Sequence, residues 1–239
     1  ALPISLFFAG FTALLFFLAG LFLSPQITAL LGADSQVAAM TQTYLKMILL
    51  FAPAFILNDI LVCFVRNDGN PRLSMLAMLG GSMANILLDY VFIFPLGMGI
   101  FGAVLATGLA PLISIAIMSG HWMGKNKGFH LAKTEIQGQT ALLILSLGFP
   151  SLITEVSSGI VIIVFNVIIL GLKGNVGVAA YGVIANLSLV VISIFTGIAQ
   201  GMQPLISSAY GRGDSARIRG ILRYGLAAAV FISDRKSVV

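Results

Sequence analysis

The sequence predicts an all-α, polytopic membrane protein with six full transmembrane helices and the stub of a seventh. Three observations lead there. Of the 239 residues, 59% are hydrophobic and only 9% charged, against about a quarter charged in an ordinary soluble chain. The mean hydropathy is +1.06. Several apolar runs also reach the ~18–20 residues that a helix needs to cross the hydrocarbon core. With so few charges a soluble fold could not cover its surface in water. A transmembrane β-barrel would alternate polar and apolar residues along each strand, whereas the apolar runs here are continuous.

The elements follow in chain order. The first span covers Leu2–Leu23, then Ser24-Pro25 and a short amphipathic piece over Ile27–Leu31, broken at Gly32-Ala33-Asp34. The second span is Thr43–Val65, and its exit, Arg66 to Arg72, is dense in turn residues. The third is Leu73–Phe94, ending at Pro95. A link of three residues leads to the fourth, Gly99–Trp122. The longest polar stretch, 124–138, comes next. The fifth span is Thr140–Leu170 and contains Pro150, which kinks a membrane helix. Lys173-Gly174-Asn175 forms a tight turn before the sixth, Val178–Tyr210. The stub is Ile221–Ser233. The chain opens inside an apolar run, and Asp234-Arg235-Lys236 interrupts the last one, so the expectation is either a piece cut at both ends from a longer chain or last residues foreign to the protein.

Loop charge supports this layout. When the loops are assigned to alternating sides, one side takes nine basic residues, from Arg66 and Arg72 through Lys125, Lys127 and Lys133 to the four arginines after Tyr210. The other takes only Lys46 and Lys173. That bias is the positive-inside pattern, with the basic loops cytoplasmic. It also accounts for the net charge of +5 without a nucleic-acid partner. The lone Cys63 excludes a disulfide framework or CxxC metal site within the chain. His121 and His130 flank the basic stretch and read as loop residues without a chemical role. No catalytic fingerprint is present and no cofactor is implied; the reading is not an enzyme. No pattern encodes an oligomeric state.

Charged groups within a span cost ~2.5–3.5 kcal/mol on the insertion scale, so the few that occur are informative. Three of the eight acids fall within spans: Asp59, Asp89 and Glu155. Ser82, Asn85 and Asp89 share one helix face, with Gly80 and Gly81 beside them for close helix approach. Ile86, Leu87 and Phe92 form the face suited to lipid. A carboxylate one turn from an amide can hold a proton or a small cation; a structural hydrogen bond between helices is the plainer alternative. Glu155 follows Pro150 and shares a face with Ser151, Ser158 and Asn166. Asp59 lies two turns before Arg66, near the interface. On the sixth span Asn186, Ser193, Gly197 and Gln200 form a stripe, suited either to substrate or to bonds between helices. On the fourth, Gly102, Ala106 and Ala110 make a small-residue face edged by Thr107. Met75, Met78, Met83 and Met202 could line an adaptable pocket or simply fill the core.

Several runs resemble the multidrug and toxic compound extrusion (MATE) family, in its bacterial DinF- and MepA-like branch. They are Arg66-Asn67-Asp68-Gly69-Asn70-Pro71, Asn85 to Tyr90, Gly102 to Thr107, Gly148-Phe149-Pro150 with Glu155, and Ala209 to Asp214. The resemblance covers nearly the whole chain in order. It implies a fragment of a twelve-helix, two-lobe transporter. Residues 1–124 would be helices 3–6 of the N-terminal lobe, 125–138 a cytoplasmic linker, and 139–239 helices 7 and 8 with the start of helix 9. It further implies a secondary antiporter in the membrane lipid, exporting small cationic or amphipathic substrates in exchange for protons or sodium ions, and inactive as these 239 residues alone. Asp89, Asn85 and Thr107 match ion-coupling positions of the first lobe. Asn58 matches the asparagine of the preceding helix, and Glu155 the acid of the second lobe. Asn166, Asn186, Gln200 and Met202 are the candidate substrate contacts. A lipid-linked oligosaccharide flippase of the same superfamily is the alternative, but an anionic cargo calls for intramembrane Arg or Lys, and acids occur here.

Overall fold

The computed structural model describes residues 2–30, 38–123 and 138–234. These are helical nearly throughout. Helix α1 spans Leu2–Phe22, α2 Ser24–Leu30, α3 Ala38–Asn67, α4 Pro71–Ile93 and α5 Gly99–Trp122. A helical stretch, Gly138–Gly211, is interrupted at Gly174, where φ is 62° and ψ −160°. That backbone is open essentially to glycine alone. It divides the stretch into α6, Gly138–Gly174, and α7, Val176–Gly211. Helix α8 is Ser215–Asp234. Six helices, α1 and α3 to α7, are long and apolar enough to cross a membrane. Large apolar side chains such as Phe22, Leu87 and Leu147 lie exposed on them, as in helices whose solvent is hydrocarbon.

Two compact units emerge, Ala1–Ile144 and Leu145–Val239. The expected linker over 125–138 lies almost wholly outside the described residues, as do His130 and the break at 32–34. In the first unit α3 is central: α1, α4 and α5 all pack on it. Gly20 brings α1 against Leu49, and Gly108 brings α5 against Phe51. Helices α4 and α5 approach through Gly81 and Gly102, where an added Cβ would stand 3.0 Å from the Ala110 carbonyl oxygen and 2.8 Å from Phe92 Cβ. Phe92 thus packs between helices instead of facing lipid. Leu61, Val62 and Val65 of α3 meet Ala77 of α4 and Met118 of α5 in a buried cluster. Beside it the Ser74 hydroxyl donates to the Val62 carbonyl at 3.0 Å, a bond between helices.

In the second unit α6 and α7 run antiparallel, with Phe165 and Tyr181 stacked at 5.7 Å. Met202 of α7 touches Gly225 of α8. Helix α8 begins six residues before the expected stub, because Asp214 caps it: its Oδ1 accepts from Arg217 N at 2.9 Å. Arg217, Arg219 and Arg223 therefore stand on a helix and not in a loop. Lys46 likewise lies two turns inside α3. His121 belongs to the last turn of α5, where Nε2 is 2.9 Å from Asp68 Oδ2; it is not a bare loop residue.

Candidate functional site

A cavity of about 400 Å³ opens among α3, α4 and α5. Asn58 reaches it from α3, Ser82 and Asn85 from successive turns of α4, and Thr107 and Ser114 from α5. Ile86 and Met78 supply apolar wall, so Ile86 lines the cavity although the sequence assigns it to lipid. Three expected site residues, Asn58, Asn85 and Thr107, are thereby brought together from three helices. Asp89, one turn beyond Asn85, is outside the lining, but its carboxylate is half-buried next to it. The Thr107 hydroxyl donates to the Ala103 carbonyl at 3.0 Å, which leaves its lone pairs free to accept.

Four side-chain atoms are buried without a hydrogen-bond partner among the described residues: Asn58 Oδ1, Asn85 Nδ2, Asp89 Oδ1 and Ser114 Oγ. Three of these residues line the cavity and the fourth adjoins it. A buried polar group left unpaired costs ~1–3 kcal/mol. All four sit on the three helices, α3, α4 and α5, that enclose the cavity. Ser114 is the member that sequence reasoning misses. Its seven-residue spacing from Thr107, two turns along one face, is the signal that could have found it.

The second unit distributes its candidates differently. A cavity of about 610 Å³ lies between α6 and α7, lined by hydroxyls of Thr154, Ser157, Ser158, Tyr181 and Ser188 among Ile, Leu and Val side chains. Glu155 is exposed and, like Asn166, Asn186, Gln200 and Met202, stands outside that lining. Asn186 Nδ2 donates to its own helix, at the Gly182 carbonyl (2.8 Å), and Ser193 does the same at Leu189 (2.8 Å). The cavity hydroxyls follow this habit: Thr154 donates to Pro150 at 2.9 Å, Ser158 to Thr154 at 3.0 Å and Ser188 to Ile184 at 3.0 Å.

The MatE family model matches residues 1–91 and 150–233. The chain belongs to the MATE family. Among curated MATE relatives, the multidrug export protein MepA of Staphylococcus saprophyticus is 30% identical over 214 residues, 89% of this chain and 47% of its own length. MepA of Staphylococcus aureus is 32% identical over 188 residues, covering 77% of this chain and 41% of its own. The chain thus spans about half the length of the curated relatives it matches. Among solved structures, the MATE multidrug transporter DinF-BH, solved as a complex, superposes with a TM-score of 0.80 at 25% identity, over 90% of this chain and 48% of that one. A MOP-superfamily transporter from Pyrococcus furiosus, at TM-score 0.79 and 24% identity, shares the fold over 96% of this chain and 52% of its own. The expected MATE architecture, helical and membrane-spanning, is thereby established.

Proposed function

We propose that this chain forms part of a secondary antiporter that exports organic cations or drugs in exchange for protons or sodium ions. The observation that carries the reading is the convergence of Asn58, Asn85 and Thr107 on one cavity beside Asp89, with unpaired buried atoms on all but Thr107. A carboxyl in that setting can be neutralised by a proton, by sodium or by a cationic guest. Because these compete for one charge, loading by the ion releases the guest, and the two fluxes are coupled. Glu155 is the candidate acid of the second unit, with the hydroxyl-lined cavity of α6 and α7 near it in sequence as a surface for an amphipathic substrate. The basic turns at Arg66 and Arg72 face the cytoplasm in this reading. The flippase alternative is not favoured, since its anionic cargo would meet a cavity whose lining side chains carry no positive charge, with Asp89 one turn beyond it.

The test is efflux of a cationic dye by the longest native chain that carries these residues, measured with and without sodium. Asp89→Asn and Glu155→Gln are expected to reduce efflux without reducing the amount of protein in the membrane. Wild-type efflux from both variants would sink the assignment.

A further inference from the structure

The densest positive charge in the second unit lies where α7 turns into α8. Arg212, Arg217, Arg219 and Arg223 fall within a dozen residues there, against one acid, Asp214. Asp214 is engaged as the cap of α8, its Oδ1 accepting from Arg217 N. Arg212 is committed to the end of α7, donating to the Ser208 carbonyl at 3.2 Å and to the Ser208 hydroxyl at 3.0 Å. Arg219 and Arg223 are exposed, and their side chains make no hydrogen bond or ion pair among the described residues. Local energetics disfavour this arrangement. Cations in the opening turns of a helix oppose its dipole, and Arg219 and Arg223, four residues apart, repel each other across one turn. A positive-inside bias requires neither placement, and the stretch 124–138 contributes to that bias with lysine alone. All four basic residues at this corner are arginine, whose planar fork grips a phosphate where lysine offers a point charge.

Helix α8 returns along α7, because Gly225 sits against Met202. At about 100° per residue, Arg219, Arg223, Leu226 and Val230 fall within ~60° of one another, on a flank turned away from Gly225. Leu226 and Val230 are 65% and 66% exposed. One stripe thus carries two arginines near the start of the helix and bare apolar side chains about 5–10 Å further along. Tyr210 and Tyr224, both exposed, mark the level of the arginines, since tyrosine collects at the headgroup boundary.

We propose that Arg219 and Arg223 hold the phosphate of an anionic phospholipid of the cytoplasmic leaflet, with its acyl chains lying along Leu226 and Val230. The charge, the forked donors and the change from polar to apolar along one stripe all match that occupant. A free phosphate would use the arginines and leave the apolar half of the stripe idle. An apolar helix seated there would bury two unpaired cations. The inference depends on the orientation with basic segments cytoplasmic, and not on the antiport reading.

The experiment titrates phosphatidylglycerol into the longest native chain that carries these residues, purified in an uncharged detergent, and follows the melting temperature. Phosphatidylethanolamine and inorganic phosphate are the parallel arms. Wild type is expected to be stabilised by phosphatidylglycerol and by neither of the others. Arg219→Gln and Arg223→Gln should each raise the half-saturating phosphatidylglycerol concentration about fivefold, and the double variant about thirtyfold. The single variants keep the test decisive should the double variant fail to fold. Arg217→Gln removes the same charge from the other flank of α8 and should leave the midpoint nearly unchanged. An equal shift from Arg217→Gln means diffuse attraction to the membrane surface and overturns the seat. Unchanged midpoints in the Arg219 and Arg223 variants overturn it as well. So does a wild type that phosphatidylglycerol does not stabilise, or one that inorganic phosphate stabilises as much.

Discussion

His121 Nε2 lies 2.9 Å from Asp68 Oδ2, tying the last turn of α5 to the turn between α3 and α4. Asn70 stands on the other side of the ring: its Oδ1 accepts from Leu73 N at 3.2 Å, capping α4, and its Nδ2 is 3.5 Å from His121 Nδ1. Removing the ring in His121→Ala is expected to cost ~1–2 kcal/mol, read as a lower melting temperature in detergent. Dye efflux per folded molecule should stay near the wild-type level, because the contact is structural.

Gly81 holds α4 against α5 at the wall of the first cavity, with Ala110 O 3.0 Å from where a Cβ would be. Gly81→Val should force the helices apart at a cost of ~1–3 kcal/mol. Gly10, on α1, has open space around it, so Gly10→Val serves as the tolerated control. Equal melting temperatures for the two variants would contradict this packing.

Ser74→Ala deletes the bond from α4 to the Val62 carbonyl of α3. Polar contacts between membrane helices average ~0.6 kcal/mol, and the carbonyl keeps its own helix partner. The expected loss is below ~1 kcal/mol, visible in unfolding by denaturing detergent as a small shift without change of slope.

Gly174 carries the turn between α6 and α7 at a φ of 62°. Any side chain there is strained, and Gly174→Ala should cost ~1–3 kcal/mol. Proteolysis at the turn is the measurement: the variant should be cut faster than wild type, and equal rates would argue against the conformation.

The spans were legible because lipid leaves the sequence little choice: apolar runs must be continuous and long. Helix α5 occupies the expected Gly99–Trp122. The boundaries that moved did so at polar turns. Thr41 and Gln42 read as a flank before the span at Thr43, yet they continue α3 back to Ala38, since an interfacial helix tolerates polar side chains. Asp214 starts α8 early for a local reason, its cap on Arg217 N. In the first cavity, Asn58, Asn85 and Thr107 could be named from helix spacing and family resemblance. Ser114 shares the face of Thr107, but a serine on a helix normally satisfies itself, and that its Oγ stays unpaired is visible only in the structure. The pairing of His121 with Asp68 joins residues 53 apart, and no local pattern encodes that.

The hydroxyls between α6 and α7 have one more consequence. Thr154, Ser158 and Ser188 each spend their only hydrogen on a carbonyl of their own helix. What they turn towards the cavity is lone pairs. Among those three groups the wall is electron-rich without bearing a charge, so it greets an N–H or an ammonium face and offers nothing to a carboxylate. A preference for one sign of guest can thus be written into helix geometry, with no acid required to express it.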